Sequence, residues 1–269
     1  MIELMDSDHP TVLYKYKDVS GDAITHVEDM LRNNRLWFSS PLMFNDPFDC
    51  QCVYDIGSTR EEVVLSKTKF LVRKGATFSD ALAQAEQDIP RLQSELEEWQ
   101  RQRIAGHSHR VANTGILCLT SVCNNPIMWT HYAKGHAGIC IVFQLCGVRE
   151  DSRLDFFAGA QPVKYIDRCP LINFVRDDWV ESARKVFLTK ATPYRYEAEW
   201  RIVRYDDGPG LKPIPKGIVG GVILGVQIDS TTHQRVIQAC AEYDGNVDIF
   251  QATLDPNTYG LQLKLEKTV

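Results

Sequence analysis

Hydrophobic residues recur along this chain with two periods, and each change of period marks an element. Residues 12–16, Val-Leu-Tyr-Lys-Tyr, alternate as a short strand that puts Tyr14 and Tyr16 on one face. Over residues 22–33, Ile24, Val27, Met30 and Leu31 return at helical spacing behind a candidate cap at Asp22. A strand over 35–39 leads into a loop over 41–49, where two prolines bracket Asn45 and Asp46. Residues 115–120 and 138–143 are continuous apolar runs of the kind that buried strands show, with a short helix over 126–133 between them, proline in its first turn. Beyond these come a strand over 162–165, a helix over 171–189 and a strand over 196–202. A glycine-bulged strand follows over 218–224, then a helix from Ser230 to Tyr243 and closing strands over 247–251 and 261–265.

The strand over 196–202 is the most sharply striped. Its period of two sends Glu197, Glu199 and Arg201 to one face and Tyr196, Ala198, Trp200 and Ile202 to the other. Residues 59–104 differ from everything around them, being charged and helical, with Pro90 as an interruption and Ser79-Asp80 as a cap for the second half. This stretch reads as a helical hairpin inserted at 59–105 into a single α+β domain spanning 1–269. Strands without regular alternation with helices favour α+β over a doubly wound sheet.

Composition changes this picture little. The 269 residues carry 30 lysines and arginines against 35 aspartates and glutamates, a formal net charge of −5, so no broad basic footprint for nucleic acid is expected. Residues 1–6 lack a charged-then-apolar leader and no apolar run reaches about 18 residues, which together predict a cytoplasmic protein with no membrane span. Eight cysteines, Cys146 among them, are then read as reduced thiols.

Four polar clusters are candidates for chemistry. Ser39, Ser40, Asn45, Asp46 and Asp49 can hold a ligand, or Asn-Asp-Pro can simply build a turn. Trp129, His131, Tyr132 and His136 place a possible acid or base among aromatics, or a core histidine with one satisfied bond. Glu197 and Glu199 would repel each other on one strand face unless offset, a cost that invites a functional explanation; a solvated Glu199–Arg201 pair is the bland account. Lys15, Lys17, Arg195, Arg201 and Arg204 can line an anion-binding cleft, or be scattered surface charge. The Cys118, Cys123, His131, His136 spacing fits known zinc sites poorly, so no metal is expected. Walker, dinucleotide and Gly-x-Ser-x-Gly motifs are missing.

Four of these segments, in order, resemble the bacterial family catalogued as domain of unknown function 2971: Leu13-Tyr14-Lys15-Tyr16; Leu36 to Pro41 with Phe44 to Asp49; Met128 to Ala133 with His136 and Gly138; and Tyr196 to Arg201. A second resemblance is to ADP-ribosyltransferase folds, which present a first strand with Arg, His or Tyr, a middle segment with Ser, Thr or Tyr, and a late strand bearing Glu-x-Glu. Tyr14-Lys15-Tyr16, the Trp129 to Tyr132 segment and Glu197-Ala198-Glu199 follow that order, although the first strand lacks the usual Arg or His.

That second resemblance implies a split antiparallel sheet with flanking helices, NAD as substrate, and ADP-ribose transfer to a macromolecular acceptor, protein or nucleic acid. It implies Glu199 as the carboxylate beside the ribose, Glu197 as the group that orients the acceptor, and His131 as a further acid–base candidate. Tyr14, Ser39, Asn45, Trp129 and Tyr132 would contact the cofactor, with Lys15 or Arg201 on its pyrophosphate. A toxin or anti-phage effector would fit, with a neutralising antitoxin partner. The rival readings are a nuclease or phosphodiesterase using His131, His136 and the carboxylates, and a non-catalytic ligand-sensing or interaction module.

Overall fold

A computed structural model describes residues 10–144, 159–205 and 207–269, the side chains of 92–94 excepted. Residues 1–6, from which the absence of a leader is expected, and Cys146 lie outside the described residues. In chain order the elements are β1 (Val12–Lys17), α1 (Ile24–Asn33), β2 (Arg35–Phe38), β3 (Val53–Tyr54), α2 (Arg60–Arg73), α3 (Phe78–Ala112), β4 (Gly115–Thr120) and α4 (Pro126–Tyr132). They continue with β5 (Ile139–Gln144), β6 (Ala160–Pro162), β7 (Lys164–Ile166), β8 (Leu171–Ile172), α5 (Trp179–Phe187), β9 (Thr189–Ala191) and β10 (Glu199–Arg204). Last come β11 (Gly210–Pro213), β12 (Val219–Leu224), α6 (Ser230–Ala241), β13 (Asp248–Leu254) and β14 (Leu261–Thr268). The class is α+β. No described helix is long and apolar enough to cross a membrane.

The chain groups into two compact units. The first takes the described residues of Met1–Ser39, Gly115–Val163 and Pro193–Val269, the second Ser40–Thr114 and Lys164–Thr192. In the first unit, eight of the described strands form one sheet in the order β14-β13-β12-β5-β1-β4-β10-β6. It is mostly antiparallel; β12 and β13 run parallel, and α6 makes the crossover between them.

One face of the sheet carries Leu13, Leu117, Ile141 and Val222 and is covered by Val27, Met30 and Leu31 of α1 and Val236, Ala239 and Cys240 of α6. Helix α1 forms because its apolar residues fall on one side, and it stops at Asn34, whose backbone is left-handed at φ 47°. The other face carries Tyr16, Cys140, Ile223 and Ala252 under Met128 and Trp129 of α4. Asn125 caps α4 by accepting from the Ile127 N–H, and Pro126 starts it. The turn that follows is tight, with positive φ at Lys134, Gly135 and His136.

The ladders around β1 are unequal. β1 pairs with β5 along its whole length and β4 pairs with β10 along its whole length, but β1 meets β4 at the single register pair Tyr14↔Thr120. Along this thin seam the Lys15 ammonium donates to the Cys118 carbonyl at 2.8 Å, occupying an acceptor that a longer ladder would have paired with backbone.

In the second unit α2 and α3 pack against each other as a hairpin, opened by a Thr59–Glu62 capping box. Two details are corrected. Pro90 does not interrupt α3: it lies on the exposed side of a 35-residue helix whose Ala81, Ala85 and Ile89 are buried. The cap is Thr77, not Ser79-Asp80.

Three other expectations are corrected. The strand over 162–165 breaks at Val163, leaving β6 in the first unit and β7 in the second. The helix over 171–189 forms only from Trp179, because the Asn173 side chain takes the N–H groups of Val175 and Arg176 and Asp177 takes that of Asn173. The strand over 196–202 starts at Glu199: Thr192–Glu197 is a 3-10 helix initiated by Pro193, and Ala198 turns out of it at φ 43°. Glu197 is therefore not on the strand.

The paired glycines of β12 do mark a bulge, between Val219 and Gly221. A closer backbone approach occurs at Gly138, where a Cβ would run into the Lys17 carbonyl and the Cα of Ala133. Gly138→Ala is expected to cost about 1–3 kcal/mol in urea unfolding. Gly106→Ala, within α3 and with no atom near its Cβ, should instead stabilise by about 0.5–1 kcal/mol.

Candidate functional site

Strand β10 sends Glu199 and Arg201 to the same face, and two residues is the reach a guanidinium needs to grip a carboxylate on its own strand. Arg201 Nε donates to Glu199 Oε1 at 2.8 Å and Nη2 donates to Oε2 at 2.9 Å. The pair is enclosed: Arg201 is 0% exposed and Glu199 5%. Of the two accounts the sequence leaves open, the solvated surface pair does not hold: Glu199 and Arg201 pair, but in the interior. Such forked, charge-assisted bonds are what make burial of both charges tolerable.

The register extends the site across the sheet. Glu199 lies opposite Thr120 and Thr120 opposite Tyr14, so the three form one row over β10, β4 and β1. Arg201 lies opposite Cys118 in the adjacent row. Burial, followed by the Glu199 charge, pushes the Cys118 thiol well up, so it is a neutral packing group. Burial and the neighbouring Cys123 thiol push Tyr14 up to about 12, keeping its hydroxyl protonated as a donor.

Glu197 enters from the 3-10 turn. Tyr132 of α4 donates its hydroxyl to Glu197 Oε1 at 2.6 Å, Thr120 Oγ1 donates to the Glu197 carbonyl at 2.5 Å, and Asn125 Nδ2 donates to the Tyr196 carbonyl at 2.9 Å. The first unit thus assembles Tyr14, Thr120, Tyr132, Glu197, Glu199 and Arg201, with Lys15 on the seam.

Other candidates fall elsewhere. Trp129 is fully buried, donating Nε1 to the Cys123 carbonyl and meeting Tyr16 edge-on at 5.2 Å. His131 is exposed, with its ring 6.5 Å from that of Tyr132, and it makes no side-chain hydrogen bond among the described residues. His136 stacks on Trp129 at 6.2 Å, and burial lowers its pKa. Ser39 is bridged through its backbone to Ile116, four residues or about 13 Å along β4 from Thr120. Asn45 belongs to the second unit and is exposed; beside it the Asp46 carboxylate accepts from the Phe48 N–H, the turn bond that Asn-Asp-Pro suggests, while Asp49 pairs with Lys190 at 3.5 Å. Among the described residues no three His, Cys, Asp or Glu side chains are grouped to hold a metal ion.

The model of the family described as Protein of unknown function (DUF2971) matches residues 128–202. This stretch is similar to that family. It contains Trp129, His131, Tyr132, Glu197, Glu199 and Arg201, and so both the α4 and β10 sides of the assembled cluster. Tyr14, Lys15, Ser39 and Asn45 lie outside the DUF2971 match. No curated protein and no solved structure matches the chain.

Sequence reading missed Thr120, the polar end of an otherwise apolar strand and the residue that stands opposite both Tyr14 and Glu199 in the register. That one polar residue closing an apolar run was its signal. It read Lys17 as part of a basic set, lining an anion-binding cleft or scattered on the surface. Burial, then the Lys15 charge, lowers Lys17 from 10.5 to about 8. The folded chain therefore binds this proton more weakly than the unfolded chain does, so protonation opposes folding, and the penalty fades as pH rises from about 8 to 10.5. Lys17→Met should remove that dependence. Urea titrations at pH 7 and pH 10 should show the wild type gaining stability relative to the variant by up to about 3 kcal/mol.

Proposed function

We propose that the first unit is an NAD-dependent ADP-ribosyltransferase with an ADP-ribosyltransferase-like sheet, acting on a macromolecular acceptor, protein or nucleic acid, as a bacterial toxin or anti-phage effector. One observation carries the reading: the row Tyr14–Thr120–Glu199, lying at the seam where β1 and β4 share a single register pair, with Glu197 held beside it by Tyr132. It joins the first-strand aromatic to the late-strand glutamate.

The chemistry suits these groups. Cleavage of the bond between ribose and nicotinamide sends its electron pair to the pyridinium nitrogen and leaves an oxocarbenium-like ribose, which an adjacent carboxylate stabilises. The acceptor nucleophile then bonds to that carbon and loses its proton. Glu199 supplies the carboxylate, fixed in orientation by its fork to Arg201. Arg201 then positions Glu199 instead of binding pyrophosphate. Glu197, fixed by Tyr132, orients the acceptor. A cytoplasmic location and an antitoxin partner belong to the same proposal.

A second reading is favoured by the burial of both carboxylates, each already bonded by a neighbour. In it the cluster is structural and the unit is a non-catalytic binding module. His131 and His136 make no bond to either carboxylate, so nothing favours the nuclease reading. Incubation with labelled NAD and a bacterial lysate separates the two. The transferase reading expects nicotinamide release and label transfer, both reduced about 10²–10³-fold in Glu199→Gln, with thermal unfolding recorded to separate loss of chemistry from loss of fold. No NAD cleavage by wild-type protein, or full transfer by a folded Glu199→Gln, would sink it.

A further inference from the structure

The second unit contains a cleft of about 730 Å³, within the range of small-molecule sites, walled by α2, α3 and the residues leading into α5. From α3, Trp99, Arg103, His107 and Arg110 all line it; their spacings of four, four and three put them on one helical face. Trp179 at the start of α5 adds a second indole. The cleft lies wholly within one unit and shares no residue with the Glu199 cluster.

Two features of its wall go together. Each indole has an arginine over it: Arg103 stands 5.1 Å from the Trp99 ring centroid and Arg110 stands 4.7 Å from that of Trp179. Neither arginine forms an ion pair with a described residue, and both are exposed. The lining holds seven lysines and arginines against four carboxylates, and three of those carboxylates are already paired: Asp177 with Lys185, Asp178 with Arg73, and Glu95 with Arg91. Of the cations, Lys67, Arg73 and Arg176 are paired too, which leaves Lys69, Arg103, Arg110 and Arg184 against Glu181, so the charge without an ion pair among the described residues is positive.

Polar groups in the same wall lack partners. His107 is 3% exposed; its Nδ1 lies 2.9 Å from the Tyr54 hydroxyl, while Nε2 is buried without a hydrogen bond. Burial and the Arg110 charge hold its pKa down, so the ring is neutral. The Ser182 hydroxyl, 1% exposed, is also unbonded. A single arginine over a tryptophan is ordinary surface chemistry, expected about once per 70–80 residues. Two such pairs in one cleft, with unsatisfied buried polar atoms in its wall, are not accounted for that way.

We propose that this cleft binds a nucleoside phosphate, with the planar base stacked on Trp99 or Trp179 and the phosphate held by Arg103 and Arg110. Indole faces accept any base, and guanidinium forks match phosphate oxygens. The nucleotide comes free or as part of a single strand, and the two sources share this chemistry. The site is independent of the transferase reading.

Titration of the full chain by calorimetry, with AMP as the probe, tests it. AMP should bind at least about tenfold more tightly than adenosine or inorganic phosphate alone, because each of those keeps only one half of the recognition. Arg103→Ala with Arg110→Ala should weaken AMP by about tenfold or more. Both side chains are exposed, so the fold should survive, and the melting temperature checks it. Arg103→Ala with Arg110→Ala should leave any NAD cleavage by the first unit unchanged, so that failure of the transferase reading leaves this one standing. An oligoadenylate that binds more tightly than AMP supports the site and assigns the source as a strand. Absence of AMP binding up to about 1 mM, or an unchanged affinity in the folded double-arginine variant, overturns the proposal.

Discussion

Neither a carboxylate nor a guanidinium can be carried alone into a protein interior, and the first unit buries Glu199 and Arg201 together, two residues apart on β10, beside the edge strand β6. The fork gives each charge an opposite one at hydrogen-bond distance, and removing either member takes that compensation from a buried group. The fork between Glu199 and Arg201 therefore constrains its surroundings. β10 has to keep its alternation through residue 201, and the chain has to arrive at Glu199 from a direction that leaves the carboxylate facing inward. The left-handed Ala198, an uncommon conformation for a residue with a Cβ, provides that turn.

The neighbours of the pair are organised by the same demand. Thr120 faces Glu199 across the β4–β10 ladder and ties the 3-10 turn to the sheet through the Glu197 carbonyl. Asn125 and Tyr132 hold that turn from the two ends of α4, one through the Tyr196 carbonyl and one through the Glu197 carboxylate. On the far side of β4 the ladder to β1 thins to one pair and Lys15 takes up the Cys118 carbonyl. Here an ammonium substitutes for backbone pairing, and burial lowers its pKa as a consequence. Whether this cluster turns over a substrate or only braces the sheet, its geometry follows from the same buried pair.

Much of this was legible in the sequence, for identifiable reasons. Apolar periodicity placed α1, β4, β5 and β12 because each buries a face and nothing local competes. It failed at 171–178, where Asn173 and Asp177 bond to backbone and so displace the helix, and at 192–198, where a proline-led turn overrides the alternation of Tyr196 to Ile202. Pro90 was over-read because a helix anchored by buried alanines tolerates one missing donor on its exposed side. In the site, Glu199 with Arg201 could be read from their spacing alone. Their burial could not, because it depends on long-range pairing with β4, and neither could the bond from Tyr132 to Glu197, which crosses 65 residues. The cleft of the second unit stayed hidden for a similar reason: three of its key residues recur along α3, but Trp179 arrives from a segment more than 60 residues later.

The central claim is that the Glu199–Arg201 fork is a coupled, buried interaction on which the first unit depends. A double-mutant cycle of Glu199→Ala and Arg201→Ala, followed by urea unfolding, measures it most directly. The account predicts a loss of about 3–5 kcal/mol for each single change and a double variant less destabilised than the sum, with a coupling of at least about 2 kcal/mol. Single losses below about 1 kcal/mol that simply add would be the behaviour of an exposed, dispensable pair, and would contradict it.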